Sequence, residues 1–180
     1  MLPLFHRGKY YMSIEALKEK IPDYAKDLRL NLSAIYSNPL LNDQQKAGCF
    51  ITAALTSRNK VVLDHILADF SVKISTTVLQ AAQTASALMG MNNIYYRFTH
   101  LVENEHYRQM PAKLRMNGIM THGIEKADFE LFCLVASAIN GCAACLNAHE
   151  HELRKLSVSE EAIQESVKIG AVVHAIAGLA

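Results

Sequence analysis

Glycine and proline, the residues that most often interrupt helices, are scarce in this chain, at 8 and 4 of its 180 residues. Alanine and leucine are frequent, and no long segment alternates apolar and polar residues with the period of two that is typical of a half-buried strand. This composition and patterning favour helices throughout. The sequence therefore predicts an all-α protein, and its length suits a single domain with a sizeable core.

Capping and breaking residues divide the chain into helical segments. We predict helices over residues 13–21, 23–36, 43–56, 60–68, 74–102, 126–139, 142–156 and 160–179. Ser13 is a candidate N-cap, as is Asn42 or Asp43. The more polar segment 103–123, which carries Pro111, is predicted to be a connection with short helical pieces.

Charge and hydropathy exclude several classes of protein. The formal net charge is +1 and no long basic block occurs, so nucleic-acid binding has no electrostatic basis. The longest apolar stretches, 131–139 and 170–180, are too short to span a bilayer, and residues 1–9 lack the features of a signal peptide. We therefore expect a cytoplasmic protein that binds neither nucleic acid nor membrane.

The most informative segment reads Asn-Gly-Cys-Ala-Ala-Cys-Leu-Asn-Ala-His over residues 140–149. Cys142, Cys145 and His149 lie at offsets of 0, 3 and 7, which place them on one face of a helix. Asn-Gly is a strong breaker, so a helix is expected to begin near Cys142, where free backbone N–H groups stabilise a thiolate. A two-cysteine peroxide reduction needs an attacking thiolate, a resolving thiol and a proton carrier.

Glu130 is a fourth candidate, on the predicted helix that precedes the Asn-Gly turn. Its neighbours are apolar, so its carboxylate is expected to be partly desolvated, which suits acid–base work. In that role it would orient His149 or pass protons to it. The alternative is that Glu130, near a helix start, only complements the helix dipole.

Zinc binding is an alternative for the two cysteines and the histidine. A structural zinc site needs a fourth ligand and no second Cys/His pair is obvious, so no bound metal or cofactor is expected. The other thiols, Cys49 and Cys133, lie within apolar helices and are predicted to be buried packing residues. The histidines without an identifiable partner are expected at the surface or in loops: His6, His65, His100, His106 and His122.

The two halves of the chain resemble one another. With a constant offset of 85, residues 43–64 align with residues 128–149. The candidate site residues are replaced in the first half: Glu130 by Gln45, Cys142 by Ser57, Cys145 by Lys60 and His149 by Asp64. Coincidence between two alanine-rich amphipathic helix pairs is the alternative. We predict one domain over residues 1–180 with an internal two-fold pseudo-repeat, a degenerate N-terminal half (about 1–102) and a catalytic C-terminal half (about 112–180).

Together, Glu130, the Cys-Ala-Ala-Cys segment 142–145 and His149 resemble the Glu…Cys-x-x-Cys-x-x-x-His pattern of the AhpD-type alkyl hydroperoxidases. The flanking Leu-x-Ala-His-Glu-His-x-Leu-Arg and the segment Pro-Ala-Lys-Leu-Arg-Met at residues 111–116 are also similar, and the likeness is most specific over residues 112–180. The resemblance implies an all-helical subunit with an internal repeat, usually assembled as a homotrimer.

The resemblance also implies roles. Cys145 would attack the peroxide and pass through a sulfenic acid, Cys142 would act as resolving cysteine and proton donor, and Glu130 and His149 would relay protons. The Cys142–Cys145 disulfide would be re-reduced by a dihydrolipoyl group on a 2-oxoacid dehydrogenase component. The reduced cysteine pair would also be able to serve an AhpC-type peroxiredoxin as reductant.

Three functions are compatible with these residues. The first is an antioxidant thiol peroxidase that reduces organic hydroperoxides to alcohols. The second is a thiol–disulfide electron carrier from a lipoyl protein to an AhpC-type peroxiredoxin, and the third is a non-enzymatic redox sensor or zinc module. Ala144 affects the expected proton relay, because members of the AhpD-type family often carry a histidine at this position. A second relay histidine is absent unless His151 or His174 takes its place.

Overall fold

Helices make up most of residues 12–179, the part of the chain that the computed structural model describes, and no strand occurs in that range. In chain order they are α1 (Ile14–Glu19), α2 (Lys26–Ser37), α3 (Asp43–Ser57), α4 (Lys60–Phe70), α5 (Thr76–Leu101), α6 (His106–Gln109), α7 (Lys126–Asn140), α8 (Ala143–Lys155) and α9 (Glu160–Ala177). Short 3₁₀ turns cover Asp23–Ala25 and Asn117–Ile119. The prediction of an all-α protein is confirmed.

The helix starts follow short polar side chains in the sequence. Five such residues accept a hydrogen bond from the backbone N–H three residues further on: Ser13, Asn42, Asn59, Ser75 and Ser159. Asn42 and Gln45 form a reciprocal capping box. Because caps satisfy N–H groups that have no partner within the helix, they fix where helices begin. Because Ser75 is the N-cap, α5 begins at Thr76, two residues after the predicted start at residue 74.

The core lies where α3, α5, α7 and α9 pack against one another. Every residue of 47–54 on α3 and of 129–137 on α7 is buried, so these two helices form the centre of the molecule. Helix α8 packs on both α7 and α5, which brings the predicted catalytic helix against the middle of the longest helix. Within residues 12–179 no helix is both long and apolar enough to cross a membrane.

Helices α3 and α7 come close together at Gly48, where an added Cβ would overlap the ring of Phe132. Phe132 is fully buried, so its ring has little room to move aside. We expect Gly48→Ala to lower the free energy of unfolding by about 1–3 kcal/mol, measured by urea denaturation. Gly90→Ala is the control, because a Cβ there meets nothing within 4 Å. Equal stability of the two variants would contradict this account of the core.

The same order of helices occurs in both halves, as α3–α4–α5 and as α7–α8–α9. Helices α3 and α7 are each 15 residues long. Each is followed by a residue in the left-handed region, Arg58 with φ of 58° and Gly141 with φ of 66°. Both third helices begin after a serine cap, Ser75 and Ser159. This order fits the predicted repeat, whose two-fold axis and division into halves remain predictions.

The surface expectation for His65 is wrong. Its side chain is buried, and the residue is only 4% exposed. The backbone N–H of Ser13 donates to its Nδ1 at 3.1 Å, so the ring joins α4 to the start of α1. Burial of Cys49 and Cys133 is confirmed. His6 lies outside the described residues.

Candidate active site

The turn between α7 and α8 positions the two cysteines. Gly141 ends α7 in the left-handed conformation, with φ of 66°, which glycine adopts at little cost. The N–H of Gly141 donates to the carbonyl of Ala138, and the N–H of Cys142 donates to that of Ser137, both at 3.2 Å. These bonds reverse the chain tightly, and the predicted break at Asn-Gly is confirmed.

Cys142 is the N-cap of α8, one residue before the first turn. Its Sγ accepts a hydrogen bond from the backbone N–H of Cys145 at 3.3 Å, in the position that a serine or asparagine oxygen takes in the other caps. A negative charge on this sulfur would be stabilised by that N–H group and by the positive end of the helix dipole. Helix α8 begins at Ala143, one residue later than predicted.

The two sulfurs are joined in a disulfide, with the Cα atoms of Cys142 and Cys145 5.3 Å apart. Their surroundings differ. Cys142 is 0% exposed, whereas Cys145 is 8% exposed and lines a cavity on the surface of the molecule. A ligand in that cavity therefore meets Cys145, whereas Cys142 does not line it.

Glu130 and His149 are brought together across the α7–α8 pair. The Nδ1 of His149 lies 2.6 Å from Oε2 of Glu130, and both side chains are largely buried. Donation of Nδ1–H to the carboxylate fixes the ring orientation and leaves Nε2 as the nitrogen that exchanges protons. That Nε2 lies 3.3 Å from the thioether Sδ of Met89 on α5. Desolvation of Glu130, expected from its apolar neighbours, matches its burial.

The cavity beside Cys145 has a volume of about 350 Å³ and lies between α5 and α8. It is lined by Met89, Asn92, Tyr96, His100, Ile119, Ala144, Cys145, Ala148 and His149. Apolar walls with a few polar groups are typical of sites for small organic ligands. The cavity brings Cys145 and His149 to the same space.

The α5 wall of the cavity was not identified from the sequence. Met89, Asn92, Tyr96 and His100 are spaced by three, four and four residues, so they share one face of the helix. That spacing is a detectable signal, but nothing in the sequence says that this face meets the cysteine motif. His100 is thus the histidine that α5 contributes to the cavity.

Ala144 lines the cavity, at the position where a histidine would have faced it. Neither His151 nor His174 is among the residues of the cavity wall. His151 is exposed, and the Nδ1 of His174 lies 3.1 Å from Oγ of Ser57, at the end of α3. Neither histidine is therefore placed to act in this cavity.

The first-half counterparts of the motif make ordinary structural contacts. Lys60 and Asp64 form an i,i+4 ion pair at 2.6 Å, and Gln45 donates to Oδ1 of Asp128 at 2.8 Å. Ser57 is the partner of His174 already described. None of these residues supplies a thiol.

A polar network links the α7–α8 turn to α5. Asn93 donates to Oγ of Ser137 at 2.9 Å, and the side chain of Asn140 donates to Oδ1 of Asn93 at 3.0 Å. Arg97 donates to the carbonyl of Asn140 at 2.6 Å. Because Asn140 precedes the Gly141 turn, this network ties the position of Cys142 to α5.

The remaining thiols are poorly suited to react. Burial raises the pKa of the Cys49 thiol, and the carboxylate of Asp128 raises it further. Burial likewise raises the pKa of Cys133, with Glu130 adding to the effect. Both stay neutral at physiological pH, and a neutral thiol is a weak nucleophile. No three or more His, Cys, Asp or Glu side chains in residues 12–179 are grouped so as to hold a metal ion.

Several known proteins resemble this chain over most of its length. Residues 106–180 match the carboxymuconolactone decarboxylase family. The chain is 51% identical to alkyl hydroperoxide reductase AhpD of Brucella canis over 166 residues, which are 92% of this chain and 95% of that protein. It is 54% identical to alkyl hydroperoxide reductase AhpD of Hyphomonas neptunium, covering 92% of each chain. The protein of the same name from Gluconacetobacter diazotrophicus is 51% identical, over 92% of this chain and 91% of its own length.

Proposed function

Because the chain belongs to the AhpD family of alkyl hydroperoxide reductases, we propose that it reduces organic hydroperoxides to alcohols through its Cys142–Cys145 pair. One observation carries this proposal. Cys145 and His149 line the same largely apolar cavity, while Glu130 contacts the histidine and the fully buried Cys142 is bonded to Cys145.

In the first step the Cys145 thiolate attacks the terminal oxygen of the hydroperoxide. A sulfur–oxygen bond forms, the oxygen–oxygen bond breaks, and the alkoxide that leaves takes up a proton to become the alcohol. Cys145 is then a sulfenic acid. In the second step the Cys142 sulfur attacks that sulfur, the disulfide forms, and hydroxide leaves as water after protonation.

Both steps need protons, and we assign their supply to His149 and Glu130. The short Nδ1–carboxylate contact holds the imidazole ring in place, so Nε2 can give a proton to a leaving oxygen on the cavity side. The N-cap position of Cys142 favours its thiolate, which is the form that attacks the sulfenic acid in the second step. A proton released from Cys142 would pass into the same relay.

Replacing Glu130 with glutamine tests the relay. The amide has nearly the same shape but cannot take up a proton, so it removes Glu130 from the relay. We expect hydroperoxide reduction to slow by about 10²-fold. The measurement is the stopped-flow rate at which hydroperoxide oxidises the reduced protein. Glu150→Gln, an exposed position next to His149, is the control; if both variants react at the wild-type rate, the relay is wrong.

A dihydrolipoyl group is the proposed reductant, carried by a 2-oxoacid dehydrogenase component in the cytoplasm, where thiols stay reduced. The apolar walls beside Cys145 support this choice, because a lipoyl arm is an apolar chain that ends in two sulfurs. We expect faster steady-state turnover of cumene hydroperoxide with dihydrolipoamide than with dithiothreitol or thioredoxin at equal thiol concentration. Faster turnover with thioredoxin would identify a different donor class.

A second candidate is a thiol–disulfide carrier that passes electrons from a lipoyl protein to an AhpC-type peroxiredoxin. Ala144 favours it, because a methyl group in the cavity wall cannot donate a proton to the leaving alkoxide. The two functions differ in whether the reduced protein reacts with hydroperoxide by itself.

A homotrimer is part of the proposal. Ile94, Phe98 and Leu101 form an exposed apolar row along the second half of α5, as expected for a surface that another subunit covers. Sedimentation equilibrium should give three times the 20.0 kDa chain mass. A monomer mass at micromolar concentration would reject the trimer.

A further inference from the structure

Asn92 has an unusual environment on the α5 wall of the cavity. It is 5% exposed, and its Oδ1 is buried without a hydrogen-bond partner among the described residues. The next residue, Asn93, is also buried, but its side chain donates to Ser137 and accepts from Asn140. A buried acceptor without a donor weakens the folded state, and such a group in a native protein calls for an explanation.

The explanation lies in what shares the cavity with Asn92. Cys145 and His149 line the same space from α8, Tyr96 and His100 line it from α5, and Met89 and Ile119 supply apolar surface. An organic hydroperoxide carries one O–H donor, on the terminal oxygen, and an alkyl group with no polar atoms. An unpaired acceptor in a largely apolar cavity is complementary to that arrangement.

We infer that Asn92 binds the hydroperoxide group of the substrate, with its side-chain oxygen accepting a hydrogen bond from the terminal O–H. This inference rests on the proposed function. The terminal oxygen is the atom that the Cys145 thiolate attacks, and its hydrogen stays with it in the sulfenic acid. Holding that O–H directs the terminal oxygen to Cys145 and leaves the alkyl-bearing oxygen to take its proton from His149. Asn92 is thus a binding residue that distinguishes a hydroperoxide from a peroxide without an O–H.

Asn92→Leu tests the inference, because leucine has a similar size and no polar atom. We expect kcat/KM for cumene hydroperoxide to fall about tenfold, the effect of losing one hydrogen bond to substrate. The rate at which dithiothreitol reduces the Cys142–Cys145 disulfide should not change. The thermal midpoint should stay equal or rise, because an apolar group replaces an unpaired buried acceptor.

Asn93→Leu is the matched control on the same helix. It deprives Ser137 and Asn140 of their partners, so the thermal midpoint should fall. A loss of activity in Asn92→Leu together with a similarly lowered midpoint and slower disulfide reduction would show a structural role and overturn the inference. If Asn92→Leu does not fold, Asn92→Ala is subjected to the same three measurements.

The wild-type protein distinguishes failure of the inference about Asn92 from failure of the proposed function. If it reacts with cumene hydroperoxide and Asn92→Leu reacts equally fast, the inference is overturned and the proposed function stands. If the reduced wild-type protein does not react, the proposed function fails and the inference fails with it. A tenfold loss in Asn92→Leu, with wild-type reduction of its disulfide and an undiminished midpoint, supports both.

Discussion

Replacing Cys145 with serine should abolish hydroperoxide consumption. Cys145 is the cysteine that lines the cavity, and a hydroxyl in its place cannot attack the oxygen–oxygen bond at a useful rate. We expect kcat to fall by about 10³-fold or more, to the rate of the uncatalysed reaction with the reductant. The measurement is loss of cumene hydroperoxide with dihydrolipoamide as donor.

Cys133→Ala is the control for this substitution. Cys133 is buried in α7 and its raised pKa keeps it a neutral thiol, so its removal should leave turnover at the wild-type level. Turnover that survives in Cys145→Ser and disappears in Cys133→Ala would show that Cys133, and not Cys145, is the reacting thiol.

Replacing Cys142 with serine should stop the reaction halfway. Serine is a good N-cap, so its oxygen can replace the Cys142 sulfur as acceptor for the Cys145 N–H and keep the start of α8 intact. Cys145 should still be oxidised, but the thiol with which it forms the disulfide is gone, so the sulfenic acid is not resolved. With reductant removed beforehand, we expect one equivalent of hydroperoxide to be consumed per chain and Cys145 to be labelled by dimedone in the mass spectrum.

The wild-type protein is the control for the dimedone experiment. It should give a disulfide and little dimedone adduct, because Cys142 resolves the sulfenic acid first. Formation of a dimedone adduct on Cys142 in Cys145→Ser, with none on Cys145 in Cys142→Ser, would reverse the two assigned roles.

Much of this molecule could be predicted from local sequence. Helices whose start is set by a side chain one turn away, such as Ser13 or Asn42, were located almost to the residue. The break at Asn-Gly could also be predicted, because glycine readily adopts the left-handed conformation that Gly141 takes. The burial of Cys49 and Cys133 follows from their apolar helices.

Contacts between helices that are distant in the sequence could not be predicted from local patterns. Asn92 and Met89 join the site because α8 packs over α5, and the helical spacing on α5 does not specify its partner helix. His65 is buried for the same reason, through a bond to Ser13 at the other end of the α1–α4 contact. The pairing of Glu130 with His149 was expected from their chemistry, and the packing of α7 on α8 supplies the geometry.

The central claim is that the reduced protein itself reacts with an organic hydroperoxide at Cys145. The direct test is a single turnover in a stopped-flow instrument, mixing reduced wild-type protein with equimolar cumene hydroperoxide in the absence of any other thiol or protein. We predict that one equivalent of hydroperoxide is converted to alcohol and water as one Cys142–Cys145 disulfide forms per chain. Unchanged thiols and unconsumed hydroperoxide, with oxidation only after an AhpC-type peroxiredoxin is added, would contradict the claim and identify the protein as an electron carrier.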